Sequence, residues 1–187
     1  MAPMWLNDDE QQFLLKLARA SIEHGIETGR PLSVDPAALP ARLSEKMASF
    51  VTLERLGQLR GCIGMLEAVR PLAIDVAENA FAAAFLDSRF PPITPTEMQN
   101  VDLHISVLSA AVPIAAESEN ALLQQLRPGE DGVILTEGRR RATYLPVVWH
   151  QLPAPKDFIE QLKTKAGLPK HYWSDSIRFF RYSTQTF

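Results

Sequence analysis

Cysteine is almost missing from this chain. Cys62 is the only one among 187 residues, so no internal disulfide can form and a reducing compartment is expected. Excess charge of either sign is missing too. The 19 Lys and Arg against 22 Asp and Glu leave a formal net charge of −3. With a sequence pI near 5.8, nothing draws the chain as a whole toward nucleic acid or anionic lipid. No stretch approaches the roughly 20 apolar residues of a membrane helix. The opening residues Met1–Asp9 have neither the basic nor the apolar region of a secretory leader. A cytoplasmic protein without membrane contact is therefore expected. Internal repeats, low-complexity tracts, Walker or dinucleotide spacings and short His or Cys ligand spacings are also lacking, so the sequence calls for no metal or cofactor.

What is there belongs to a globular protein, with 46% hydrophobic and 22% charged residues. Asn7 and Glu10 fit a helix-opening pair, and Phe13, Leu14, Leu17, Ala18 and Ile22 follow at helical spacing until Gly25. After the prolines at 31, 36 and 40, residues 47–55 and 59–63 predict two strands joined at Leu56-Gly57-Gln58. Leu72–Leu86 is almost unbrokenly apolar behind Pro71. A helix of that kind is buried, which makes it the central helix. Val101, Leu103, Ile105 and Val107 alternate with polar residues as a strand. A short helix over 119–126, strands from Asp131-Gly132 to Leu135 and from Arg141 to Leu145, and a helix from Pro155 to Ala166 follow. The tail Ile177–Phe187 reads as one closing strand. Interleaved hairpins and helices favour an α+β fold, a mainly antiparallel sheet packed with helices, over a doubly wound parallel one.

The chemistry concentrates at Leu59-Arg60-Gly61-Cys62-Ile63-Gly64. Strict strand alternation puts Arg60 and Cys62 on one face, and paired glycines in a strand signal a bulge or a close backbone approach. A guanidinium near a thiol favours the thiolate, the form that attacks electrophiles. The same cysteine can equally serve as a small buried hydrophobe. Arg60 can bind an anion in bidentate fashion or pair with a neighbouring acid. Arg89 emerges after the central helix in Asp87-Ser88-Arg89-Phe90, where a cation suits the helix dipole or lines a site. Lys165 falls at the edge of the last helix's apolar face, to snorkel or to contact an anion. His104 is the most interesting histidine partner for Cys62, on a regular strand beside Asp102 and Ser106. Arg139-Arg140-Arg141 reads as a solvated hairpin tip, and Trp149, Tyr172 and Trp173 as packing residues.

The hexapeptide, with Phe50-Val51-Thr52-Leu53, Asp87-Ser88-Arg89-Phe90-Pro91-Pro92, Glu97, Ile105-Ser106-Val107-Leu108, Asp131-Gly132, Ala142-Thr143-Tyr144-Leu145-Pro146 and Lys165-Ala166-Gly167, resembles the AMMECR domain family. Its prokaryotic members are called AmmeMemoRadiSam system protein A. The resemblance runs over nearly the whole chain, 1–187, as a single such domain. It implies an α+β fold with a larger part, a small β-containing subdomain and a cleft near the cysteine motif. It also implies a Memo-like protein and a radical SAM protein as partners, but no settled reaction. Relatives often carry Glu or Gln where this chain has Val147, and His104 lies outside the family pattern. Two readings follow. In one, the chain is a component of such a modification system with Cys62 as candidate catalytic residue and Arg60, Arg89 and Lys165 as candidate substrate contacts. In the other, it is a non-catalytic module that recognises a partner protein or an anionic small molecule.

Overall fold

A computed structural model describes residues 6–187; the segment read above for a leader lies, through residue 5, outside the described residues. The chain folds as two compact units, one of residues 6–108 with Gln185–Phe187 and one of Ser109–Thr184. The fold is α+β, as the sequence predicts.

In the first unit α1 (Asp8–Thr28) opens on the expected capping box, in which Asn7 and Glu10 satisfy each other's backbone N–H groups. It buries the stripe Leu14, Ala18, Ser21, Ile22 and Gly25 and ends at Gly29, φ 72°. Strands β1 (Ala48–Arg55) and β2 (Gln58–Gly64) form an antiparallel hairpin. Its turn residues Leu56 and Gly57 both have positive φ, 54° and 72°, as a two-residue turn between right-twisted strands requires.

Helix α2 (Leu72–Phe85) is the expected central helix: it packs against α1 on one side and β1 and β2 on the other. Its two buried polar residues are satisfied. Asp75 accepts from the backbone and hydroxyl of Ser49 and from Arg70, and Asn79 donates to Asp75 and to the Ser49 carbonyl. A four-residue helix α3 (Pro95–Met98) is capped by Thr94 and Glu97. Strand β3 (Asp102–Leu108) pairs antiparallel with β1, so that Val51, Leu53, Ile105 and Val107 join α1 and α2 in one core.

The second unit comprises β4 (Val112–Ile114), α4 (Glu119–Gln125), β5 (Gly132–Glu137), β6 (Arg140–Tyr144), α5 (Pro155–Lys165) and β7 (Arg178–Tyr182). The strands form an antiparallel sheet in the order β4-β7-β5-β6. Its core centres on Phe158, stacked on Trp149 with ring centroids 3.8 Å apart. Tyr172 and Trp173 pack against that core, in line with their sequence assignment.

The tail departs from expectation. It is two strands rather than one: β7 lies in the second sheet, while β8 (Thr184–Thr186) joins the first, in the order β2-β1-β3-β8. Ser183 makes the break, accepting the Ser109 N–H at its carbonyl and donating its own N–H to the Ser109 hydroxyl.

Candidate functional site

The hairpin of β1 and β2 decides how the lone sulfur is presented. Counting back from the turn, where Arg55 faces Gln58, a regular ladder would set Cys62 opposite Val51, a fully buried core residue. The register slips between Leu53 and Glu54: Leu53 faces Gly61, Glu54 faces Leu59, and Arg60 is left with no opposite number. One extra residue in a strand exchanges the two faces beyond it. Cys62 therefore faces Thr52 on the side of the sheet away from α2, half-buried.

The glycine before it serves the other face. A Cβ on Gly61 would lie 2.2 Å from the Ala83 carbonyl oxygen of α2, so β2 and the central helix approach more closely than any side chain permits. Both features inferred from the paired glycines, a bulge and a close approach, are present. The shared face of Arg60 and Cys62 is not, because the bulge falls on Arg60 itself.

β2 is an edge strand, and the segment after α2 closes its edge at Cys62. The Cys62 N–H donates to Asp87 Oδ2 at 2.9 Å, and Arg89 Nη2 donates to the Cys62 carbonyl at 3.2 Å. Because both backbone groups of Cys62 point away from β1, Cys62 and Thr52 form a non-hydrogen-bonded pair, in which side chains come closest. The Thr52 hydroxyl accordingly reaches the sulfur, donating to Sγ at 3.3 Å.

Asp87 and Arg89 form a closed clamp. Arg89 gives Nε to Asp87 Oδ1 at 2.9 Å and Nη2 to Oδ2 at 2.6 Å. Arg89 holds the Asp87 carboxyl well below the usual carboxylate range, against the raising effect of burial, and the Cys62 N–H adds to the lowering. The Arg89 guanidinium is raised in turn, first by its hydrogen bonds to Asp87. The Arg89 side chain remains 54% exposed, so one end of its fork meets solvent.

Arg60 is differently employed. Only 8% exposed, it donates Nε to Glu97 Oε1 at 3.0 Å and Nη2 to the Pro91 carbonyl at 2.9 Å and to Glu97 Oε2 at 3.3 Å. The bidentate capacity foreseen for it is filled by the protein's own carboxylate, which Arg60 lowers to about 2. Arg60 and Arg89 both stand by the Phe90 ring, 5.8 and 5.6 Å from its centroid. Nη1 of Arg60 is buried and has no hydrogen-bond partner among the described residues.

His104 also faces Thr52, from β3. Two strand spacings, about 9.5 Å, therefore separate it from Cys62, and its Nε2 lies 3.8 Å from Glu54. Lys165 ends α5 in the second unit, where its ammonium donates to the Thr143 carbonyl at 2.9 Å and lies 4.8 Å from the Tyr144 ring centroid. The first unit thus gathers Cys62, Arg60 and Arg89 on neighbouring backbone, while Lys165 is held by β6 of the second. Val147, at the position where a polar residue was expected from the family pattern, is 61% exposed.

Thr52, Asp87 and Glu97 stand in the blocks that carry the family resemblance, but the sequence assigned them no role at the site. Thr52 is visible only once the bulge is known, and the two acids only through the folding back of residues 87–97. Lys163 was legible. It is one turn from Ile159 and lies beside Leu162 within the apolar stripe, and it is fully buried against Glu119, the Lys170 carbonyl and Trp173. Among the described residues no group of three His, Cys, Asp or Glu is placed to hold a metal ion, and no helix is long and apolar enough to cross a membrane.

Chemically, the site offers a half-buried thiol with one hydroxyl donor at sulfur, a backbone clamped on both sides and a half-exposed guanidinium beside it.

A protein of Methanothermobacter thermautotrophicus is 36% identical over 97% of this chain and 95% of its own length. One of Thermotoga maritima is 32% identical over 92% and 95%. The crystal structure of an uncharacterised protein from Pyrococcus horikoshii superposes with a TM-score of 0.89 at 31% identity, covering 98% of this chain and 93% of that one. The AMMECR1 family model matches residues 15–187, and the chain belongs to the AMMECR1 family.

Proposed function

We propose that this protein is a cytoplasmic component of an AmmeMemoRadiSam-type modification system in which Cys62 acts as a nucleophile on a substrate or carried intermediate. The observation that carries the reading is the register slip at Arg60, which turns the sulfur away from the core and toward the Thr52 hydroxyl. In this reading Arg89 is the cation that faces the incoming group, and Asp87 fixes both Arg89 and the Cys62 backbone. Arg60 is a positioning residue that ties β2 to Glu97 and Pro91. Lys165, in the second unit, offers its ammonium as an anion contact there. A Memo-like protein and a radical SAM protein are the partners the family setting supplies.

Iodoacetamide, which carries no charge, tests the nucleophile directly: sulfur forms the S–CH2 bond, iodide leaves and the thiol proton goes to solvent. Native protein is expected to be alkylated at Cys62, faster as pH rises. A sulfur that reacts only after unfolding would end the catalytic reading. A Cys62→Ser variant that folds and fully supports the cellular phenotype would favour the non-catalytic binding module instead.

A further inference from the structure

Away from Cys62, the first unit carries a groove of about 530 Å³ between the C-terminal half of α1 and α3. Its apolar lining is Ile26, Pro95 and the buried Met98; its charged lining is Arg19, Glu23 and Glu27. Arg19 is already engaged, donating to the Met98 carbonyl at 3.2 Å and the Val101 carbonyl at 3.0 Å. The two glutamates are exposed and have no ion-pair partner among the described residues.

Their placement is adverse in two ways. Glu23 and Glu27 are one helical turn apart, where like charges repel. They also stand toward the C-terminal, negative end of α1, whose last turn has no basic residue. Arg19, one turn before Glu23, is committed to the carbonyls of Met98 and Val101 and makes no ion pair with either glutamate; a cation from outside would offset both effects. The adjoining apolar lining asks for more than a bare ion. We propose that this groove docks a basic amphipathic helix of a partner protein, its Lys or Arg side chains one turn apart on Glu23 and Glu27 and its apolar face toward Ile26 and Pro95.

The probe is a fluorescein-labelled helical peptide of Lys, Leu and Ala, about 15 residues long so that it holds helical structure, titrated into the full chain and read by anisotropy. Saturable binding is expected, weakened by salt and about tenfold or more by Glu23→Gln with Glu27→Gln. A variant of equal charge, Glu45→Gln with Asp102→Asn, is expected to bind like the parent. The Glu23→Gln, Glu27→Gln protein should melt at the parent's temperature or above it, since it loses only repulsion. Absent binding, equal losses in both double variants, or equal affinity for a peptide with Glu in place of Lys would overturn the proposal. A lowered melting temperature in the first variant would give the glutamates a structural role instead. Displacement of the peptide by an equal concentration of spermine, or a sedimenting dimer lost in the first variant, would assign the groove to a small polycation or to a second copy.

Discussion

Gly61→Ala tests how Cys62 is held. The added Cβ would meet the Ala83 carbonyl oxygen at 2.2 Å, where ordinary contact begins at 3.4 Å, a shortfall of 1.2 Å. The obstacle is backbone of a buried helix, since Ala83 is 1% exposed, so no rotamer change relieves it. Overpacking a core costs about 1–3 kcal/mol, and with backbone on both sides we expect about 3. For a chain of this size that lowers the thermal midpoint by about 6–12 °C, measurable by calorimetry and by urea titration of far-ultraviolet circular dichroism. Two controls separate the causes. Gly57 has φ 72° with nothing within 4 Å of its ideal Cβ, so Gly57→Ala meets only the left-handed penalty of about 1–2 kcal/mol. Ala83→Gly in the Gly61→Ala background should give no rescue, because the obstructing oxygen is retained. A Gly61→Ala protein within about 0.5 kcal/mol of the parent, the range of an ordinary surface change, or one restored by Ala83→Gly, would refute the reasoning.

Removal of Glu97 should be felt through Arg60. Glu97→Gln leaves that buried guanidinium without its carboxylate, at a cost of about 3 kcal/mol near neutral pH, read by urea unfolding. Because the Glu97 carboxyl is lowered from 4.5 to about 2, its stabilisation is complete above pH 4.5 and is lost as pH falls toward 2. The variant's stability should be flatter across that window, and a parallel curve would deny the pair its role. Thr52→Val removes the donor at Sγ while keeping the side chain's shape; iodoacetamide alkylation at pH 7 should slow about threefold, since the thiolate loses a hydrogen bond. An unchanged rate would leave the hydroxyl without influence on the sulfur. Arg89→Met leaves the buried Asp87 carboxylate without its cation and should cost about 3 kcal/mol. The rate ratio of iodoacetate to iodoacetamide should fall about threefold with it, and a constant ratio would show that Arg89 does not draw anions to the thiol.

Where hydrophobic period and caps agree, the sequence was a good guide. The capping box of Asn7 and Glu10, the all-round apolar run from Leu72 and the alternation from Val101 to Val107 each became the expected element, because burial of one face dictates a period. The site was only half legible. That a bulge would accompany Gly61 follows from the chemistry of glycine, but the placement of the bulge at Arg60 depends on the Ala83 carbonyl behind Gly61 and on Glu97 drawing Arg60 aside. Neither contact is local. The same holds for the tail, in which Phe179 to Phe187 is uniformly suited to a strand. Ser183 interrupts it through Ser109, a residue far away in sequence.

That interruption bears on how the chain is made. β8 supplies the fourth strand of the first sheet through the paired backbone of Ile105 and Phe187, yet all of Ser109–Thr184 must be translated before it exists. A nascent chain stalled within that stretch, or a transcript broken there, would display β3 with its outer row of amide and carbonyl groups unclaimed. Such a fragment is expected to self-associate or to engage a chaperone, whereas a chain that carries Thr184–Thr186 covers that row itself.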